Sequence, residues 1–205
     1  FLTHSHLDHL ALLPMLIDAV ADQRKHPLTV YAAEETLHAL RAHVFNWQIW
    51  PDFTALPDQN DPILRLQPVQ AGETIVLGAR RIRPLHALHS VPALGYCVDE
   101  GGEKLVFTGD TAICDELIEE LNGLPGLRYL LIETAFPNRH HDLADAARHM
   151  SPDSLETMLA RLHSNPEVFV THIKPGYSDL VVREVSCGKG RLHPSVLLKG
   201  QRFCL

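Results

Sequence analysis

Thr3-His4-Ser5-His6-Leu7-Asp8-His9 opens the 205-residue chain and decides how the rest is read. Four side chains able to ligate a metal fall within six residues. On an extended segment alternate side chains share a face, so His4 and His6 project the same way. Asp8 and His9 then turn and can serve a second position, so this stretch can hold two ions close together. Imidazole nitrogen and carboxylate oxygen are donors that zinc takes at about 2.0–2.2 Å. Phe1-Leu2-Thr3 reads as the end of a strand, and His4 to His9 as a loop. An apolar helix is predicted from about Leu10 to Gln23, with Leu12, Leu13, Leu16, Ile17 and Val20 on its buried side. A strand leading in and a helix leading out argue against a chance surface cluster.

Composition supports the metal reading. Fourteen histidines are more than a neutral scaffold needs, and imidazole is the commonest metal ligand. The net charge of −7 disfavours a large nucleic-acid partner, which needs a basic surface. It does not disfavour a small anionic substrate held by cations. Cys97, Cys114, Cys187 and Cys204 are far apart, with no CxxC pair, so a disulfide framework or thiolate zinc site is not expected. Each reads as a small buried hydrophobe. No apolar run is long enough to span a membrane, and no secretory signal is visible, so a cytoplasmic protein is expected.

Outward from the opening motif, strands are predicted at Leu28–Ala32, near 73–77 and over 80–88. A hairpin joins Leu94–Asp99 to Lys104–Thr108 across Gly101-Gly102. Apolar runs at Leu127–Ile132 and Val168–Thr171 read as buried strands, and 196–204 as a last one. Helices are predicted from Glu34 to about Val44, over 114–122, and from Pro152 to about His163, the last capped by Ser151. Residues 46–72 hold four prolines and read as a long surface loop around Trp47, Trp50 and Phe53. Alternating strands and helices indicate one α/β domain over 1–205.

The opening motif resembles the HxHxDH signature of the metallo-β-lactamase superfamily. That resemblance implies an αββα sandwich, here lacking its first N-terminal strands, and further ligands in a set order, each just after a strand: a His, an Asp, then a His. His89, Asp110 and His172 meet that order. His86 competes with His89, but the register puts His89 at the strand end and leaves His86 as a partly buried strand residue. The family then assigns His4, His6 and His89 to one ion and Asp8, His9 and His172 to the other, with Asp110 bridging. The expected cofactors are two divalent ions, zinc by default, with manganese or iron also suited to the donors.

Longer stretches resemble class II cyclic-nucleotide phosphodiesterases: Asn46-Trp47-Gln48-Ile49-Trp50-Pro51-Asp52-Phe53, His89-Ser90-Val91-Pro92, Gly109-Asp110-Thr111, Glu133-Thr134-Ala135-Phe136-Pro137-Asn138 and Thr171-His172-Ile173-Lys174-Pro175. The implied activity is hydrolysis of a 3′,5′-cyclic nucleotide to a 5′-nucleotide, by attack of a metal-bridging hydroxide. Asp8 would orient the nucleophile. Glu133 and His149 match a pair that tRNase Z relatives also carry, in which the His assists the phosphate or the leaving group and the Glu orients it. Trp47, Trp50, Phe53 and Asn138 are the expected substrate-binding residues, and the aromatic loop could equally serve as a lid or a homodimer contact. Two rivals stay open: a tRNase Z-like nuclease, and a non-catalytic metal-binding chain.

Overall fold

Buried apolar side chains sort into two separate clusters, and the chain divides accordingly into two units, Phe1–Gln70 and Ala71–Leu205. The structure, a computed structural model, describes residues 1–205.

In the first unit, helix α1 (Leu7–Leu10) and helix α2 (Leu13–Ala21) precede strand β1 (Leu28–Ala32), helix α3 (Glu34–His43) and strand β2 (Leu64–Pro68). Asp8 and His9, expected in a loop, therefore lie in the short helix α1. The single helix expected from Leu10 to Gln23 is two, because Pro14 lacks the N–H that a helix interior requires and fits only a first turn. The break rotates the buried face. Leu10, Pro14 and Ile17 are buried, whereas Leu12 and Leu16, expected inside, are exposed.

The expected 46–72 loop is also shorter than its prolines suggested. β2 pairs with β1 in parallel, from Leu28 opposite Leu64 to Ala32 opposite Pro68. Leu64 and Leu66 alternate with Arg65 and Gln67, a strand period that the flanking prolines masked. Pro68 ends the strand, where a missing donor is tolerated.

The second unit is built on a seven-stranded sheet of β3 (Ile75–Leu77), β4 (Arg80–Ala87), β5 (Ala93–Glu100), β6 (Glu103–Phe107), β7 (Leu127–Glu133), β8 (Glu167–Thr171) and β9 (Ser195–Val196), in that spatial order. Neighbours from β3 to β6 are antiparallel, and those from β6 to β9 are parallel. β4 and β6 both oppose β5, so they run in the same direction as each other and as β7 and β8. The C-terminal ends of β4, β6, β7 and β8 consequently share one edge of the sheet. Ligand sites in open α/β sheets form outside such ends.

Helices α4 (Asp115–Asn122), α5 (His141–Ala147), α6 (Pro152–Leu159) and α7 (Ser178–Ser186) link these strands. Leu117, Ile118 and Leu121 of α4, Leu155 and Met158 of α6, and Val181 of α7 share a core with Leu130, Ile132, Val168 and Val170. Ser151 caps α6 in a reciprocal capping box with Ser154, as the Ser-Pro start predicted, although α6 stops at Leu159 rather than near His163.

The last strand is shorter than the expected 196–204. After Val196 the chain turns through Gly200, whose φ of +82° suits glycine, and inserts Phe203 against Tyr129 and Phe169 with ring centroids 5.0 and 5.1 Å apart. Cys97 and Cys114 are buried as expected, but Cys187 and Cys204 are exposed. No helix is long and apolar enough to cross a membrane.

Candidate functional site

In the first unit the opening motif is pinned by Leu2, whose N–H donates to the Tyr31 carbonyl of β1 at 2.9 Å. His4 is fully buried, and its ring lies 4.7 Å from that of His6 and 4.1 Å from that of His9, centroid to centroid. Starting α1 at Leu7 turns Asp8 and His9 back towards this group, with the His9 N–H on the His6 carbonyl at 3.0 Å. The Thr3 hydroxyl touches Nδ1 of His4 at 3.1 Å and Nδ1 of His9 at 3.3 Å. A hydroxyl oxygen can accept two hydrogen bonds. Both imidazoles can then carry their proton on Nδ1 and present the Nε2 lone pair to a ligand.

The second unit builds its cluster from strand ends. His89 follows β4, Asp110 follows β6, Glu133 closes β7 and His172 follows β8. Backbone bonds lock these loops together. The Leu88 N–H donates to the Thr111 hydroxyl, and the Ala112 N–H to the Leu88 carbonyl, both at 2.9 Å. Gly95 lets β5 pass close by: a Cβ there would meet Thr108 O at 3.1 Å, just ahead of Gly109-Asp110.

His89, Asp110 and His149 each place one ligand atom within 4.8 Å of the others, and all three are buried. His172 Nε2 is 3.1 Å from Asp110 Oδ2. His172 holds a positive φ of 60°, uncommon for a residue with a side chain and often found at functional positions. His86, expected to be partly buried, is instead exposed, with Nδ1 3.1 Å from Glu120 on α4.

Glu133 is fully buried and is the structural hub of this cluster. Its Oε1 accepts from His149 Nδ1 at 2.7 Å and from the Thr111 N–H at 3.0 Å. Its Oε2 accepts from the N–H groups of Ala135 and Met150 at 3.1 and 3.2 Å. Burial pushes the Glu133 carboxyl above the usual carboxylate range, and the hydrogen bonds from His149 and Met150 oppose that shift. The His149 ring is thus held at one nitrogen, leaving Nε2 to exchange a proton with a substrate.

Two positioning groups, Arg148 and Thr3, escaped the sequence reading. The Arg148 carbonyl accepts from His89 Nδ1 at 3.1 Å, and the Arg148 guanidinium donates to the His89 carbonyl at 2.8 Å. Arg148 reaches both because it ends α5 in a left-handed conformation, φ 55°. Thr3 serves His4 and His9 in the same way. Lys174 Nζ lies 2.9 Å from His172 Nε2. Fixing the Nδ1 proton is how acceptors outside a metal's own shell orient ligating histidines. His4, His9 and His89 share this arrangement, and His89 lies beside a buried aspartate, so the donor set fits divalent cations.

The expected substrate-binding residues divide. Phe53 is buried in the core of the first unit, tilted against Phe45. Trp50 is half-buried against that core, and Trp47 is exposed. Both amide atoms of Asn138 are committed to Asp153: Nδ2 donates to its carboxylate at 2.7 Å, and Oδ1 accepts from its N–H at 2.9 Å.

The family model described as a beta-lactamase superfamily domain matches residues 1–173, and the chain belongs to that family. A protein of Yersinia pestis named "Probable 3',5'-cyclic-nucleotide phosphodiesterase" is 29% identical across 86% of this chain and 57% of its own length. The crystal structure of unliganded yeast PDE1 superposes with a TM-score of 0.79 at 24% identity, covering 97% of this chain and 66% of that one. Human tRNase Z, short form, superposes with a TM-score of 0.59 at 18% identity over 87% of this chain and 73% of its own. The chain thus spans just over half the length of the Yersinia relative. The structural likenesses show the fold of the family, and membership of that family together with the His/Asp donors described above implies divalent metal binding.

Proposed function

We propose that the protein is a phosphodiesterase dependent on two divalent ions that hydrolyses 3′,5′-cyclic nucleotides, cyclic AMP or cyclic GMP, to nucleoside 5′-phosphates. The observation that carries this reading is the buried Glu133–His149 dyad beside His89 and Asp110, in a chain that aligns over 86% of its length with the Yersinia relative. His4, His6, Asp8 and His9 of the first unit and His89, Asp110 and His172 of the second are the residues that would hold the ions. The nitrogen and oxygen donors suit zinc, and also manganese or iron. Bound there, the ions supply a water that ionises near neutral pH and neutralise charge gathering on the phosphate.

The protein's own groups do the rest. Asp8 orients the attacking water. As the water oxygen joins phosphorus and the P–O3′ bond breaks, His149 passes a proton from Nε2 to the departing 3′ oxygen. Glu133 holds the ring through Nδ1 and stabilises its positive charge. The substrate is a small anion, consistent with a net charge of −7 that suits polynucleotides poorly.

The test is turnover of cyclic AMP and cyclic GMP by the metal-loaded full-length protein, with a precursor tRNA in parallel. Release of a 5′-nucleotide, abolished by a chelator and restored by added metal, is the expected result. Cleavage of the tRNA with neither cyclic nucleotide consumed would reassign the dyad to a nuclease. Inertness towards all three would remove the enzymatic reading.

A further inference from the structure

We propose that Phe136 and Tyr177, edged by Arg139 and His140, form a stacking shelf for the nucleobase of the substrate. This deepens the cyclic-nucleotide reading and rests on it for the identity of the ligand. The shelf lies entirely within the second unit.

Rings run without interruption from the dyad to the shelf. His149 stacks on His172 at 5.4 Å with planes 20° apart, and meets Phe136 edge-on at 5.7 Å. Phe136 lies 6.3 Å from Tyr177, and Tyr177 lies 5.4 Å from His140. The Arg139 guanidinium sits 5.9 Å above the Tyr177 ring. A nucleotide whose phosphate sat at His149 would have Phe136 within reach of its base, the two rings being 5.7 Å apart.

Phe136 and Tyr177 are both half-buried, so each anchors in the protein and keeps surface open to a ligand. Every base has a π-face, and an aromatic platform accepts it without needing one hydrogen-bond pattern. Arg139 and His140 add cationic or donor groups at the rim, where the acceptor edge of a base or a second anionic group would be met.

The shelf is also rigid, which reduces the ordering cost of binding. The Phe136 segment is tied by the Lys174 N–H on the Ala135 carbonyl at 3.1 Å and by the Asn138 N–H on Glu184 at 2.9 Å. The two-way bond between Asn138 and Asp153 belongs to the same scaffold. Asn138 thus places the shelf rather than touching the ligand.

The experiment is calorimetric titration of the metal-loaded full-length protein with AMP, GMP and inorganic phosphate. Phe136→Ala and Tyr177→Ala are each expected to weaken both nucleotides by about tenfold, the loss of one stacked face, and to leave phosphate affinity where it was. Phe136→Tyr and Tyr177→Trp should restore nucleotide binding. Equal weakening of nucleotides and phosphate would reduce the rings to a structural role and overturn the shelf. So would unchanged nucleotide affinity in the alanine variants, or wild-type protein that binds nucleotides no tighter than phosphate. If the shelf behaves as expected while neither cyclic AMP nor cyclic GMP is consumed, the reading of the reaction fails and the nucleotide shelf stands.

Discussion

The two units assemble similar chemistry by opposite routes. In the first, His4, His6, Asp8 and His9 come from one short stretch, and local backbone gathers them, an extended entry followed by the first turn of α1, with Leu2 tied to β1 just ahead of the group. In the second, His89, Asp110, Glu133 and His172 arrive from four different strands, and only the shared direction of β4, β6, β7 and β8 brings them to one edge. Burial differs as well. The Asp8 side chain is 58% exposed, whereas that of Asp110 is 3% exposed. A local cluster can form as soon as its turn forms. A strand-end cluster needs the whole sheet and pays for desolvating its charges unless cations compensate. The second cluster is therefore where metal binding and folding should be most tightly linked.

The largest effect tests that contrast directly. Asp110→Asn keeps the volume and removes the buried charge. The proposed turnover of a cyclic nucleotide should fall by about a thousandfold or more, since an ion lost from there would take with it several kcal/mol of charge stabilisation. Metal analysis of the same variant should show fewer ions per chain than wild type. Unchanged metal content would break the comparison, because it would make the strand-end aspartate dispensable for binding cations.

Next in size is the dyad. His149→Gln should lower turnover by about 10²–10⁴-fold with metal content unchanged, the signature of a lost proton donor rather than a lost ligand. Glu133→Gln should cost about 10–100-fold through misorientation of the ring. Glu133→Ala should also destabilise the fold, because the buried N–H groups of Thr111, Ala135 and Met150 lose their acceptor at about 1–3 kcal/mol each. Thermal unfolding separates the two substitutions. If Glu133→Gln proves as inert as His149→Gln, the carboxylate acts in the chemistry itself and not only on the ring.

A smaller effect is expected at Arg148. Arg148→Gly preserves the left-handed backbone and the carbonyl that receives His89 Nδ1, and deletes only the guanidinium bond to the His89 carbonyl. Competition with a chelator should show metal affinity reduced about tenfold, at the low end for a group that orients a ligand from outside its shell. An unchanged affinity would mean that the sheet edge positions His89 without help.

Much of this was legible in the chain, and the limits follow from the same contrast. The local cluster announced itself through spacing alone, because its ligands are neighbours. The strands that precede His89, Asp110 and His172 were readable close to their observed bounds, the last of them as an apolar run, and the hairpin at Gly101-Gly102 follows its turn chemistry, with Glu100 opposite Glu103. What spacing does not encode is contact between distant segments. The Arg148 clamp on His89 and the Phe136–Tyr177 pair have no period or motif of their own, and the Thr3 hydroxyl, although inside the opening motif, has no spacing that announces its contacts with two rings. Tyr177 in particular sits at the start of α7, a helix that the sequence reading did not mark. Phe53, by contrast, carried a motif-level signal for substrate but packs in the core, because an aromatic loop and a core edge have the same composition.

The smallest expected effect concerns the helix that follows the local cluster, where apolar periodicity misled. Leu16 and Ile17 are adjacent and equally hydrophobic, and a continuous helix from Leu10 would bury both. Pro14 restarts the helix, so Ile17 is fully buried and Leu16 is 55% exposed. Ile17→Ala should cost about 2–5 kcal/mol, through lost transfer energy and the cavity left behind. Leu16→Ala should stay within about 0.5 kcal/mol, as surface substitutions do. Denaturant unfolding of both variants measures the difference. Comparable losses would mean that Leu16 packs against something in solution. The local cluster would then depend on distant contacts as the strand-end cluster does, and the contrast between the two units would lose its physical basis.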